Sequence, residues 1–353
     1  MLKIDQNNSF VLFYRTTKWL GRFSSFQNVK EVLIGAPHKF LWDQVAVPYR
    51  AWKEKVDVIF NPKFSVPLIS HCPVTMGLQE PAIWAWPEHY ERFDILYQKV
   101  MLPLYCRKAA HLFPMAKWIL DENRKYLGLP FRNTTVTYPA AQDHLRPIDD
   151  HVGLEEFQAK YQLPEKFILV VTRVDHPGLD KSVSFYPGKN PQLALQAFAL
   201  CRKSIPHSLV IAGRHVREYL LHMGFTKDDF ERVHFIGFVA FEELAKLYSL
   251  ADLLINPPLY EGFGFALLGG MACGCSVVAS KTGACPEVTD GSALLADPSD
   301  PADFADKIML ALKNDDLRQE LRKKSLQRAR SFSWDRTARL TLQGLAKAVG
   351  KTM

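Results

Sequence analysis

Residues 259–274 read LYEGFGFALLGGMACG. A carboxylate, Glu261, opens a Gly262-Phe263-Gly264 turn, and the turn leads into a small-residue stretch that carries Gly269 and Gly270 side by side. The preceding ADLLINPP (251–258) is a near-continuous apolar run, so the whole reads strand, turn, helix. Glycines at 262 and 264 let the backbone turn sharply and bring bare N–H groups beside a ligand, and the helix that follows points its positive end the same way. That arrangement suits a phosphate. A carboxylate at the strand's carboxyl end suits the hydroxyls of whatever is joined to that phosphate. Many Rossmann-like turns share the strand–GxG–helix pattern, so an ordinary structural turn stands beside the ligand-binding reading. The adjacent glycines cost a helix about 1 kcal/mol each against alanine, a cost that asks for a reason.

Outward from this stretch, FILVVTRV (167–174), HSLVIAG (207–213), RVHFIGF (232–238) and CSVVAS (275–280) are further near-continuous apolar strands. NPQLALQAFALCRK (190–203) and FEELAKLYSL (241–250) read as amphipathic helices between them. Apolar strands alternating with helices predict a parallel sheet covered on both faces. The first half repeats the pattern with FVLFY (10–14), EVLIGA (31–36), DVIFNP (57–62), AHLFPM (110–115) and TTVTYP (134–139), separated by helix-like stretches such as LYQKVMLPLYCRKA and AKWILDENRKYLG. The polar HLRPIDDHVG (144–153) divides the two. The expected organisation is therefore α/β with two doubly wound domains, 1–153 and 154–335, and a last helix in 336–353 that crosses back to the first. Two such domains facing one another predict a deep ligand cleft.

Length and composition set bounds. A chain of 353 residues, 48% hydrophobic and 23% charged, is globular and about two domains long. No run reaches 18 apolar residues, and the opening MLKIDQNNS lacks a secretory apolar stretch, which predicts a cytoplasmic protein. The net charge of +7 is uneven: residues 1–150 hold 19 Lys+Arg against 14 Asp+Glu, the remainder 25 against 23. A basic first half suits an anionic partner such as a membrane surface or acidic glycan; ordinary solubility explains it as well. Nucleic acid is not expected, because no Lys/Arg-rich run or base-stacking motif is present. The six cysteines show no zinc-type pairing with histidines, and Cys273-Gly-Cys275 is too tight for a redox CxxC, so reduced structural thiols and no metal site are expected.

Two cations bear on the turn. Arg173 ends the first strand of the second domain, and Lys189 stands in PGKN at the start of its first helix. Both fall where strand carboxyl ends meet the expected cleft, so both can neutralise a diphosphate leaving group. The alternative is a solvated arginine and a helix-end lysine.

Taken in order, Arg173, GKNPQLALQAF, IAGR, the run from FIGFVAFEELAKLYSLADLLINPP through LYEGFGFALLGGMACGCSVVAS, CPEVTDGSALLADPSDP and FSWDRTA resemble the nucleotide-sugar domain of retaining glycosyltransferases of family 4, which have the GT-B fold. The likeness runs from about 165 to 340, and extends more loosely to NNSFVLFY, DVIFNP and the stretch from YLGLP to TYPAAQDHLRPID. It implies that Arg173 and Lys189 bind the donor's diphosphate and Glu261 the hexose hydroxyls. The backbone at Gly262, Phe263 and Gly264 would touch the sugar, the helix start at Phe265 and Ala266 would receive the phosphate, and the main chain near Phe238 would hold the base. The implied reaction is hexosyl transfer with retention, from a nucleotide diphosphate sugar (UDP- or GDP-linked) to a hydroxyl of a glycan, lipid-linked or small-molecule acceptor. The departing phosphate helps to deprotonate the acceptor, and no metal or other cofactor is required.

Three departures from the family pattern stand out. The family's second glutamate, which holds the nucleotide ribose, is matched by Gly269 here; a glutamate restored there is expected to tighten the nucleotide if the helix faces the ribose. VTMGLQEP (74–81) resembles the strand that bears a histidine near the reacting sugar, but Met76 or Gly77 occupies that place and His71 lies four positions before the Thr75-Met76 pair. The family's usual first strand and Gly-rich turn have no counterpart, which fits either a truncated N-terminus or a reduced relative. Further candidates are Trp84, Trp86 and His89 as an acceptor wall or as core, Lys18-Trp19 and the 113–118 stretch as peripheral membrane contacts, the 176–190 segment as a flap beside Lys189, and Glu287 near the donor. Two functions remain open: an active transferase, or a glycosyltransferase-like binding or partner subunit without catalysis. A dinucleotide oxidoreductase is not supported, since EGFGF is not GxGxxG and no acidic residue follows at the expected place.

Overall fold

In the computed structural model, residues 1–174 and 187–351 are described; most of the 176–190 flap segment lies outside them. The chain divides into two compact units, Met1–Ala85 with Glu91–Pro139 and Ser333–Met353, and Trp86–Tyr90 with Ala140–Phe332.

The first unit holds two parallel sheets where the sequence predicts one. β1 (Phe10–Tyr14) pairs with β2 (Val29–Leu33). β3 (Ile59–Asn61), β4 (Val74–Leu78) and β5 (His111–Pro114) form a second sheet in that order. Every residue of β4 is buried. A Cβ on Gly77 would lie 2.3 Å from the Pro62 carbonyl oxygen, so this position holds no side chain, histidine included. The helices Arg92–Lys108 and Lys117–Leu127 follow, the second closed by Gly128 in the left-handed conformation at φ 61°.

TTVTYP, expected as a strand, is an extended edge beside β5 with a single bridge, Leu112 to Thr134. Leu112 donates to the Asn133 carbonyl, and Thr135 and Thr137 donate to the carbonyls of Leu112 and Pro114. The next rung would need an N–H from Pro114, which has none, and the ladder stops there. The 113–118 stretch, offered as a membrane contact, is largely interior: Phe113 and Ala116 are buried. Trp19 is half exposed, with the Lys18 ammonium and the Arg22 guanidinium each 5.2 Å from its ring centroid.

Ser333 accepts a hydrogen bond from the Arg336 N–H and so starts the helix Trp334–Ala348, which belongs to the first unit. The helix lies close on β5, because Gly344 presents no Cβ to Phe113; one there would sit 2.4 Å from the ring. Beside this contact the buried His111 ring shares a 2.8 Å hydrogen bond with Thr135. Burial, with Lys347 adding repulsion, holds the His111 pKa below the ordinary histidine value. The unfolded chain takes up a proton below about pH 6.5 where the folded state resists it. Stability is therefore expected to fall as pH drops through that value, and urea midpoints at pH 7.5 and pH 5.5 should differ less in His111→Gln than in the native sequence.

The second unit is built on six parallel strands: β6 (Phe167–Val171), β7 (Ser208–Ala212), β8 (Val233–Gly237), β9 (Leu253–Asn256), β10 (Val277–Ser280) and β11 (Leu294–Ala296). Their order is β11-β10-β9-β6-β7-β8, the doubly wound arrangement. β6, β7, β9 and β10 carry aliphatic side chains at zero or near-zero exposure, and the helices Pro191–Cys201 and Pro301–Lys313 join them in one core with Phe198 and Phe304 fully buried. From β6 the chain winds one way to β7 and β8, then returns to β9 on the other side and winds outward. The reversal lies between β6 and β9, and such a switch point opens a crevice at the strands' carboxyl ends.

The sequence places the first boundary at residue 153, whereas residues 140–153 pack with the second unit. The His144 ring meets Phe241 edge-on at 4.7 Å, and the Ile148 N–H donates to the Ser249 hydroxyl.

Candidate functional site

The entry of the helix Pro191–Cys201 and the loops that leave β9 and β10 meet beside the switch point. Past β9, Pro257 and Pro258 end the ladder, and the Leu259 N–H donates to the Gly188 carbonyl at 2.8 Å. This backbone bond ties the β9 loop to the entry of the helix Pro191–Cys201. Asn190 enters that helix in the left-handed conformation at φ 50° and donates its amide to the Pro298 carbonyl. Lys189 is thereby fixed, and its Nζ lies 2.6 Å from Glu261 Oε2. The carboxylate side chain is only 12% exposed and the lysine 36%, so water screens the pair less than it would on an open surface.

The β10 loop supports the carboxylate from behind. Ala284 N–H donates to the Glu261 carbonyl at 2.9 Å, and Gly283, at φ 61°, packs directly on the Glu261 backbone. A Cβ on Gly283 would lie 2.4 Å from that carbonyl oxygen. Sequence reasoning did not single out Gly283; the signal was a Thr-Gly-Ala turn just past an apolar strand. Burial, reinforced by the Glu261 charge, raises the neighbouring Cys285 thiol, so it stays protonated. Burial also pushes Cys106 and Cys273 up to about 12.

Gly262, Phe263 and Gly264 are buried, and Gly264 takes the left-handed conformation at φ 93° before the helix Phe265–Ala272. Phe263 anchors the turn edge-on against Phe265 and Phe332. Among the described residues no side chain caps this helix start, which leaves its first N–H groups for an anion. Phe265 at that start is 57% exposed.

The paired glycines have a packing reason. A Cβ on Gly270 would lie 2.3 Å from Leu254 Cδ2 on β9, and one on Gly269 would lie 3.2 Å from Tyr248 Cε2 and 3.4 Å from Leu145. Tyr248 is buried beneath both and donates its hydroxyl to the Ala266 carbonyl at 3.1 Å. The pair lets the helix lie close on Tyr248 and β9. A glutamate at 269 would bring its Cβ against Tyr248 and Leu145, and these would have to give by a few tenths of an ångström to admit it.

The other candidates spread along the same strand ends. Arg173 is exposed two residues past β6. Phe238 is 59% exposed just past β8, and the Arg214 guanidinium, just past β7, stacks 4.4 Å from its ring centroid. Arg214 entered the sequence reading only as the end of IAGR. Its place after β7, like that of Arg173 after β6, was the available signal. In the first unit, Met76 is fully buried, and His71 lies before the amino end of β4, bonded to the Val56 carbonyl at 3.1 Å. Trp84 and Trp86 are half-buried, and the His89 side chain lies outside the described residues. Glu287 lies in the short helix Cys285–Thr289, where its carbonyl accepts from Arg328. Among the described residues no cluster of His, Cys, Asp and Glu has the form of a metal site.

Residues 182–328, which include Lys189, Glu261 and the glycine turn, match the family Glycosyl transferases group 1. The chain is 25% identical over 336 residues to the O-antigen chain mannosyltransferase B of Escherichia coli, covering 91% of this chain and 82% of that protein. In structure it resembles a glycosyltransferase from Rickettsia africae at TM-score 0.73 and 13% identity, over 97% of this chain and 90% of that one. It also resembles Anabaena Alr3699/HepE, solved with UDP and glucose, at TM-score 0.72 and 15% identity, over 96% and 100%. These neighbours show a GT-B fold, and the glycosyl transferases group 1 match supports a glycosyltransferase.

Proposed function

We propose that the protein transfers a hexose from a UDP- or GDP-linked sugar to a hydroxyl of a glycan, lipid-linked or small-molecule acceptor, with retention of anomeric configuration. The Lys189–Glu261 pair at the switch point of the second unit's six-stranded sheet carries this reading. Lys189 neutralises the diphosphate, with Arg173 as a second cation, and the uncapped start at Phe265 and Ala266 gives N–H groups to the phosphate next to the sugar. Glu261 accepts from the hexose hydroxyls, the turn backbone from Gly262 to Gly264 borders the sugar, and the main chain at Phe238 borders the base. In the reaction the bond from the anomeric carbon to the phosphate oxygen breaks while the acceptor oxygen bonds to the same face, and the acceptor proton passes to the departing phosphate. Fixed positive charges placed where that phosphate's charge develops stabilise the step, and it needs no metal. The similarity to a mannosyltransferase of O-antigen assembly and to a fold neighbour solved with UDP and glucose supports the donor and acceptor classes. No helix among the described residues is long and apolar enough to cross a membrane, and the proposed place of action is the cytoplasm.

A thermal-shift screen with UDP, GDP and ADP tests the reading. One diphosphate at about 100 times its Kd is expected to raise Tm by roughly 5–10 °C, and the matching sugar nucleotide should then release hexose with its anomeric configuration kept. No shift with any of the three would overturn it. Enclosure of Gly269 and the absence of a histidine at Met76-Gly77 favour a second reading, a binding subunit without catalysis; a shift with neither donor hydrolysis nor transfer would select it.

A further inference from the structure

A cavity of about 990 Å³ opens in the first unit, walled by three stretches of chain, 52–57, 71–73 and 348–351. Two hydrogen bonds hold the first two together: the Ile59 N–H donates to the Pro73 carbonyl at 3.0 Å, and the His71 ring bonds the Val56 carbonyl at 3.1 Å. The third stretch is the end of the helix Trp334–Ala348, whose last carbonyls accept the N–H groups of Val349, Gly350 and Lys351. That end therefore offers the cavity the Lys351 side chain rather than bare carbonyl oxygens. Asp57 and Pro73 stand just before Ile59 and Val74, so the cavity lies at the amino ends of β3 and β4. Ligands of a doubly wound sheet sit at the carboxyl ends, which sets this cavity apart from the acceptor side of the reaction proposed above.

The lining sets the chemistry of an occupant. Trp52 is 59% exposed and is steadied by Tyr49, with ring centroids 6.2 Å apart, which leaves an indole surface at the rim. Val56, Pro73, Ala348 and Val349 add an apolar wall. Lys53, Lys55 and Lys351 face a single acid, Asp57. The neighbouring Glu54 is already held by Lys30 at 2.5 Å and Arg50 at 2.8 Å, and Lys53 rests 4.8 Å from the Tyr49 ring centroid. Among the described residues Lys55 and Lys351 have no ion pair. An indole and an apolar wall beside two unpaired ammonium groups suit a ligand that is flat and apolar at one end and anionic at the other. A cation meets repulsion there, and a neutral sugar leaves both lysines unused. The volume is at the upper end of the range for small-molecule sites, roughly 300–1,000 Å³.

We infer that this cavity is a second ligand site, which takes a small organic phosphate with its ring on Trp52 and its phosphate at Lys55 and Lys351. The inference is independent of the donor site, whose residues all lie in the second unit. Cys72 reports on occupancy, because it lines the cavity and is half-buried, whereas the other five cysteines are buried. Iodoacetamide labelling of Cys72, followed by peptide mass spectrometry, tests it in the presence of 1-naphthyl phosphate, inorganic phosphate or 1-naphthol. At ten times its Kd, 1-naphthyl phosphate should slow the labelling by about tenfold, while either half alone at the same concentration should leave the rate near that in buffer. Lys55→Ala with Lys351→Ala, and separately Trp52→Ala, should raise the concentration needed for protection by about tenfold or more. Tm should match the native chain, since all three side chains are exposed. Lys189→Ala should keep the protection, which separates this site from the donor site. Unslowed labelling in 1-naphthyl phosphate, equal protection by inorganic phosphate or by 1-naphthol, protection that either set of cavity variants leaves unchanged, or protection lost in Lys189→Ala would each overturn the inference.

Discussion

Lys189→Ala is expected to weaken binding of the cognate nucleoside diphosphate by about 10- to 100-fold. A hydrogen bond or ion contact to a charged group contributes roughly 1.5–3 kcal/mol, and each 1.4 kcal/mol is tenfold in affinity. The variant also leaves the Glu261 carboxylate, at 12% exposure, without its 2.6 Å partner. That second effect has to be separated from the first. Glu261→Gln keeps the shape and removes the charge, so it should bind the diphosphate alone about as well as the native chain while losing affinity for the complete sugar nucleotide. Titration calorimetry with the diphosphate and with the sugar nucleotide on both variants and the double variant gives a closed cycle. Undiminished diphosphate affinity in Lys189→Ala would remove the lysine from the site.

Gly283→Ala is expected to cost about 2–4 kcal/mol and most of the turnover, although the new methyl touches no substrate. Two strains add. Alanine at φ 61° pays about 1–2 kcal/mol for the left-handed conformation. Its Cβ would also sit 2.4 Å from the Glu261 carbonyl oxygen, a backbone atom that the Ala284 N–H holds in place. Relief requires the β9 and β10 loops to part, which carries Glu261 away from Lys189. In a unit of this size the loss corresponds to a Tm lower by roughly 5–15 °C. Gly291→Ala is the control, since it shares a positive φ of 80° but meets open space; it should keep the activity and lose only the conformational part. Native Tm and turnover in Gly283→Ala would remove the three-loop support.

Much of this arrangement is legible in the sequence, and the gaps have physical causes. The strands of the second unit announce themselves because sheets covered on both faces need apolar side chains on both, as FILVV and SLVIA show. β11 was missed because Leu294–Ala296 is three residues long, too short for any period. TTVTYP has strand composition, and only the missing N–H of Pro114 on its neighbour keeps it out of the ladder. Glu261, Lys189 and Arg173 could each be placed at a strand end from local pattern. That Lys189 closes on Glu261 depends on the Gly188–Leu259 bond, a tertiary contact that no local pattern encodes. The glycine pair is similar: the sequence shows what it costs, and only Tyr248 and Leu254 show what it permits.

The strand order of the second unit also governs how that unit must assemble. Its innermost ladder joins Ile168 to Leu253, so the whole intervening chain has to close into a loop before the central pairing forms. Pairings so distant in sequence slow folding, and until β9 arrives the apolar β6 is an unprotected edge. During synthesis the nascent chain therefore passes through an aggregation-prone interval that ends only when the stretch carrying Glu261 has left the ribosome.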